Sequence, residues 1–212
     1  MRGLYAIVDA DFLERRAVPL VAFAERVISA RPVAVQLRAK RAQPRDILAW
    51  LRAIRPAASA HGVLLFANDR PDLAVLSGCD GVHVGQRDLD VRDVRRIAPR
   101  LRVGVSTHDE DELRAAVALL PDYVAFGPVF ETASKERPEP SVGVPALSRA
   151  AGICRAAAIP LVAIGGIDEA RAAEVAPLAD MGAIITGLLP DASGLDGVTA
   201  HAAALHRALG GA

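Results

Sequence analysis

Eight short apolar runs rich in Val, Ile and Leu, each separated from the next by a more polar segment, constrain this chain more than any other feature. They are LYAIVDA (4–10), VAVQLRA (33–39), VLLFAND (63–69), GVHVGQ (81–86), RVGVSTH (102–108), DYVAFGPVF (122–130), PLVAIGG (160–166) and GAIITGLL (182–189). Between them, PLVAFAERVISA, PRDILAWLRAIRPAASA, EDELRAAVALL and PALSRAAGICRAAA repeat apolar residues at the 3.6-residue spacing of an amphipathic helix. Eight strand–helix units close most simply into a (β/α)8 TIM barrel of parallel strands. A doubly wound open sheet is the alternative, but DADFLERR follows the first run where that fold carries a Gly-rich dinucleotide turn. With 212 residues, 52% of them apolar, and no Ser/Pro-rich linker, residues 1–212 are expected to form a single domain.

Charge and composition narrow the partners. The chain carries 25 basic and 25 acidic residues, so nothing electrostatic points to nucleic acid or an anionic membrane. No apolar run approaches the roughly 20 residues of a membrane span. MRGLYAIVDADF has acids where a signal peptide would stay apolar, and a soluble cytoplasmic protein is the expectation. Cys79 and Cys154 stand alone, without metal-ligand or redox spacing, and are expected to be idle buried thiols.

In a (β/α)8 barrel, function sits on the loops after the carboxyl ends of the strands. Strand alternation puts Gln36, Arg38 and Lys40 on one face of VAVQLRAK, opposite Val35, Leu37 and Ala39. The apolar face must meet the helices, so the polar face points to the axis and its upper mouth. Two cations and an amide there require an anion, water or an internal hydrogen-bond or ion-pair network. Asn68-Asp69 ends the third run, and Asp88 follows Gly85-Gln86 after the fourth. Two carboxylates at neighbouring strand mouths suit a hard divalent ion that also holds phosphate oxygens, although either Asp alone could be a helix cap. Gly165-Gly166 opens a helix after the seventh run and Thr186-Gly187 ends the eighth, together a candidate for a second anion site.

The stretch FGPVFETASKERPEPSVGVPAL (126–147) passes from an apolar strand into a polar, proline-interrupted loop. It contains Lys135, which with Lys40 makes up all the lysine in the chain.

QLRAK, NDRPDLA, DGVHVGQRDL, GVSTH, DYVAFGPVF, TASK, VGVPAL and AIGGI stand in the order and approximate spacing of the thiamine-phosphate synthase family, which the chain resembles along nearly its whole length. The resemblance implies a (β/α)8 barrel that joins hydroxymethylpyrimidine diphosphate to thiazole phosphate with release of pyrophosphate and the help of Mg2+. It implies that Gln36, Arg38, Lys40, Asn68, Ser106 and Lys135 take the pyrimidine diphosphate, with Arg38, Lys40 and Lys135 assisting the chemistry. It implies that Asp69 and Asp88 ligate Mg2+. Thr132, Ser134, Gly166, Thr186 and Gly187 match the thiazole-phosphate side.

Three positions depart from that pattern: Glu131 stands where the family has Pro, Ser134 replaces Thr, and Gly187 replaces Ser. Glu131 makes FET, which is similar to a sister family, the thiazole tautomerases; under that resemblance His108 would be the acid/base group. A non-catalytic phosphate-binding barrel and another phosphosugar-type isomerase are the remaining alternatives. His83, of opposite parity to Gln86, is expected to be satisfied structurally, and His61, His201 and His206 to be solvated. Trp50 is expected in the core or at an interface, where a nearby patch could serve a homodimer.

Overall fold

The computed structural model describes residues 2–132, 140–190 and 194–212. Eight parallel strands form a closed barrel in sequence order: β1 (Gly3–Asp9), β2 (Ala34–Arg38), β3 (Leu64–Asn68), β4 (Gly81–Val84), β5 (Arg102–Thr107), β6 (Tyr123–Phe126), β7 (Leu161–Ile164) and β8 (Met181–Ile184). Each lies inside one of the expected runs or within one residue of it. Helices α1 (Ala10–Arg15), α2 (Leu20–Ser29), α3 (Pro44–His61), α4 (Pro71–Ser77), α5 (Val91–Ile97), α6 (Glu110–Ala118), α7 (Gly143–Ala157), α8 (Glu169–Val175) and α9 (Val198–Ala208) surround it. No helix among the described residues is long and apolar enough to cross a membrane.

The period-2 pattern divides the core into two. Leu4, Ala6, Val8, Val35, Leu37, Leu65, Ala67, Val82 and Val103 point outward and join the helix faces in one large cluster. Tyr5, Ile7, Ala34, Phe66, Tyr123, Ala125, Val162, Met181 and Ala183 point inward and fill the barrel. Bulk is balanced against its absence there. The Phe66 and Tyr123 rings meet edge to face at 5.5 Å, and a Cβ added to Gly104 would lie 1.9 Å from Tyr123 Cζ. The inward positions become polar toward the carboxyl ends of the strands, so the packed floor gives way to a wet mouth.

Cys79 and Cys154 are buried free thiols, and Trp50 packs against the outer core. His206 differs from expectation. It is buried, and its Nδ1 accepts the Leu4 N–H at 3.1 Å, because α9 folds back over the amino end of β1 rather than running out into solvent.

Candidate active site

A cavity of about 410 Å³ opens at the carboxyl ends of the strands. Its wall includes Gln36, Arg38, Lys40, Asn68, Asp69, Asp88, Ser106, Thr132, Gly166, Thr186 and Gly187. The predicted residues on described positions therefore share one concavity. Ser134 and Lys135 lie outside the described residues.

The three polar residues of VAVQLRAK reach the cavity as their parity requires, but at different depths and with different partners. Gln36 is buried, and its Nε2 donates to the Tyr5 hydroxyl at 3.1 Å. Arg38, at the end of β2, pairs through Nη1 with Asp9, its register neighbour at the end of β1. The Asp9 carboxylate is almost fully buried, and its other oxygen caps α1 by accepting the Phe12 N–H at 3.0 Å. Lys40 is half exposed at the rim and lies 2.8 Å from Asp69. Gln36 and Arg38 thus have internal partners of the kind that the alternative to an anion site required. Their cavity faces remain.

The acids sit where β3 and β4 end. Asp69 has φ of 61°, a left-handed conformation that costs a non-glycine residue free energy. Its N–H donates to the His83 carbonyl at 2.8 Å, which holds that turn in place. The Asp88 carboxylate accepts the Gly85 N–H at 2.8 Å. Burial pushes the Asp88 carboxyl above its usual range, and the neighbouring Asp69 carboxylate pushes it further. Among the described residues no group of three or more His, Cys, Asp or Glu side chains is placed to hold a metal ion. Two carboxylates at neighbouring strand mouths, one of them raised by the other's charge, nevertheless fit Mg2+, which takes one or two carboxylates and fills its shell with phosphate oxygens and water.

His83 lines the cavity as well, which parity counted from Gln86 did not reveal, because β4 ends at Val84 and the chain turns at Gly85. Its Nδ1 lies 2.8 Å from the Tyr123 hydroxyl and its Nε2 lies 2.8 Å from Ser106 Oγ. His108 is held from below: Glu112 Oε2 lies 2.8 Å from its Nδ1 and accepts its backbone N–H.

On the far wall, the Gly165-Gly166 turn follows β7. Gly166 has φ of 64°, and a Cβ there would lie 2.5 Å from the Glu131 carbonyl oxygen, so both conformation and contact demand glycine. The next helix, α8, is short and capped by the Asp168 side chain, which accepts the Arg171 N–H at 2.9 Å. Thr186-Gly187 forms a 3-10 turn after β8, with the Gly187 carbonyl 2.6 Å from His201 Nε2. Glu131 is an exposed rim residue whose carboxylate makes no ion pair among the described residues.

A profile of the family described as thiamine monophosphate synthase matches residues 4–199. The chain belongs to that family. It is 40% identical to the thiamine-phosphate synthase of Koribacter versatilis over 192 residues, 89% of each chain. It is 39% identical to that of Myxococcus xanthus over 176 residues, 82% of this chain and 78% of the other. The solved thiamine phosphate pyrophosphorylase of Pyrococcus furiosus superposes with a TM-score of 0.84 at 28% identity, covering 98% of this chain and 95% of that one. A tryptophan synthase alpha subunit from Legionella pneumophila, at 16% identity and a TM-score of 0.70, shares the barrel alone. Family membership explains why eight separate motifs occur together here.

Proposed function

We propose that this chain is a thiamine-phosphate synthase, which joins hydroxymethylpyrimidine diphosphate to thiazole phosphate and releases pyrophosphate. The observation that carries this reading is the meeting of Arg38, Lys40, Asp69 and Asp88 on one side of a cavity whose other side is the Gly166 and Thr186-Gly187 turns.

In the reaction the bond between the pyrimidine methylene carbon and the diphosphate oxygen breaks, and its electron pair leaves with pyrophosphate. The thiazole nitrogen supplies its lone pair to that carbon, forming the C–N bond and leaving the ring as a thiazolium. Atoms and charge balance without a proton transfer, so no general base is required. Negative charge grows on the leaving group, and cations already fixed around it lower the barrier. Arg38 is oriented by Asp9 and Lys40 by Asp69, so neither has to be ordered at the moment of reaction. Asp69 and Asp88 would hold Mg2+, which when bound supplies further positive charge to the diphosphate oxygens. Lys135 completes the cationic side in this reading. Gln36, Asn68 and Ser106 would bind the pyrimidine; Thr132, Ser134, Gly166, Thr186 and Gly187 would take the thiazole phosphate. Placing both substrates in one cavity provides the remaining advantage, because attack becomes effectively unimolecular.

The test is direct. Purified protein, both phosphorylated substrates and Mg2+ should yield thiamine phosphate, detected by mass, and Asp69→Ala with Asp88→Ala should abolish it while leaving the circular dichroism spectrum unchanged. Product formation surviving the double change at ordinary Mg2+ would overturn the metal assignment. A wild-type protein that makes no thiamine phosphate would overturn the function.

A further inference from the structure

Arg171 lies on the cavity wall, half-buried, at the start of α8. Its side chain folds back over the turn that precedes the helix: Nη1 donates to the Gly166 carbonyl at 2.7 Å, and the guanidinium carbon stands 4.8 Å above the centre of the Phe130 ring. These two contacts hold the group at the turn. Among the described residues they leave most of its five N–H donors uncommitted. No carboxylate among the described residues pairs with Arg171; Glu131, on the same rim, does not reach it.

A guanidinium set over an aromatic ring at the wall of a cavity, with no carboxylate partner among the described residues, is arranged to receive an anion. Its planar fork favours a carboxylate or phosphate that can accept two parallel bonds. The surroundings favour phosphate. The N–H groups of Gly166 and Gly187 donate to no atom among the described residues, and both residues line the same cavity. Parallel pairing of β7 with β8 brings their turns side by side. Amides in two turns and one oriented guanidinium make a set that a tetrahedral phosphate monoester can engage on several oxygens at once.

We propose that Arg171 is the cation of the second substrate's phosphate subsite, and so a residue that selects the phosphorylated thiazole over its free alcohol. This rests on the reading of the cavity as that of a synthase. It places positive charge on each side of the reacting centre: Lys40 and Arg38 for the diphosphate, Arg171 for the phosphate.

The experiment compares wild type with Arg171→Gln and Arg171→Lys. Loss of the bidentate charge-assisted contact should raise KM for the thiazole phosphate at least ~10-fold in Arg171→Gln, with a smaller rise in Arg171→Lys, while KM for the pyrimidine diphosphate changes less than ~2-fold. The unphosphorylated thiazole alcohol should be used equally poorly by wild type and Arg171→Gln. If both KM values rise together, or if alcohol and phosphate are affected alike, Arg171 only supports the turn and the proposal fails. A turnover-free arm separates it from the functional reading: calorimetric titration of the thiazole phosphate alone should show about 10-fold weaker binding by Arg171→Gln. Equal binding by the two proteins sinks the Arg171 assignment, whereas weakened binding with no wild-type product sinks the synthase reading and leaves the subsite standing.

Discussion

The hydroxyls of Tyr5 and Tyr123 lie 2.7 Å apart inside the barrel, although β1 and β6, which carry them, are not neighbours in the sheet. They are the middle of a longer chain. Gln36 Nε2 donates to Tyr5, Tyr123 reaches His83 Nδ1, and His83 Nε2 reaches Ser106 Oγ. Gln36 donates at one end, and the groups that follow, two phenols, an imidazole and a hydroxyl, can each donate or accept, so the run is continuous from Gln36 to Ser106. Two residues proposed to hold the pyrimidine, Gln36 and Ser106, are thus linked through the floor.

Burial pushes both phenols well above the usual tyrosine range, since a tyrosinate in this interior would lose its hydration. The chain contains two tyrosines, and these are they. A spectrophotometric titration of the folded protein should therefore show no tyrosinate absorbance up to about pH 11, where exposed phenols are mostly ionised. Absorbance rising around pH 10 while circular dichroism stays native would show that the floor is wet. Tyr123→Phe leaves the Tyr5 hydroxyl and His83 Nδ1 each short of a partner. It should cost about 1–3 kcal/mol in urea denaturation.

The pairing of Asp69 with Asp88 carries a metal-dependent prediction. Mg2+ should raise the melting temperature of wild type, because a cation between the two acids relieves their repulsion and binds only the folded chain. Asp88→Asn keeps an oxygen for the Gly85 N–H and removes the charge. Its melting temperature should not respond to Mg2+. An equal Mg2+ response in both proteins would place the ion elsewhere.

Asp9 supports a third prediction. Its carboxylate compensates the Arg38 guanidinium away from bulk water, while its second oxygen caps α1. Asp9→Asn retains an oxygen acceptor for the cap and removes the charge. Leaving a buried cation unpaired should destabilise the fold by about 3 kcal/mol. Arg38 should also lose its fixed orientation, and kcat/KM should fall about 10-fold, as expected for a positioning contact. Stability and activity both near wild type would show that Arg38 needs no fixed partner.

These residues also show where sequence patterns end. The strands were legible because both sides of the barrel wall are packed, which makes each strand a short apolar run, and because period 2 aims Gln36, Arg38 and Lys40 inward whatever their partners. Asp69, Asp88 and the glycine turns were legible because they punctuate those runs. Asp9, Tyr5, Tyr123 and Arg171 were missed for one physical reason: each acts through a contact across the barrel or back over a turn, and no local spacing records such a contact. Tyr5 and Tyr123 passed as strand apolars, and Asp9 as the end of the first run. His83 is satisfied structurally, as expected, by Tyr123 and Ser106; its place on the cavity wall escaped notice because parity holds only while a strand lasts.

The burial of His206 gives a pH dependence with a definite sign. Nδ1 accepts the Leu4 N–H, so the ring is neutral in the fold, and desolvation lowers its pKa below the ordinary 6.5, with Arg207 acting in the same direction. The unfolded chain then binds the proton more readily than the folded one. The stability contributed by neutral His206 is complete above pH 6.5 and is lost as pH falls from there through the lower folded-state value. His206→Gln should cost about 1–2 kcal/mol at pH 8, where the buried hydrogen bond is intact in wild type. It should flatten the fall in stability on the acid side of 6.5. Parallel stability–pH curves for the two proteins would show that the acid sensitivity arises at another group.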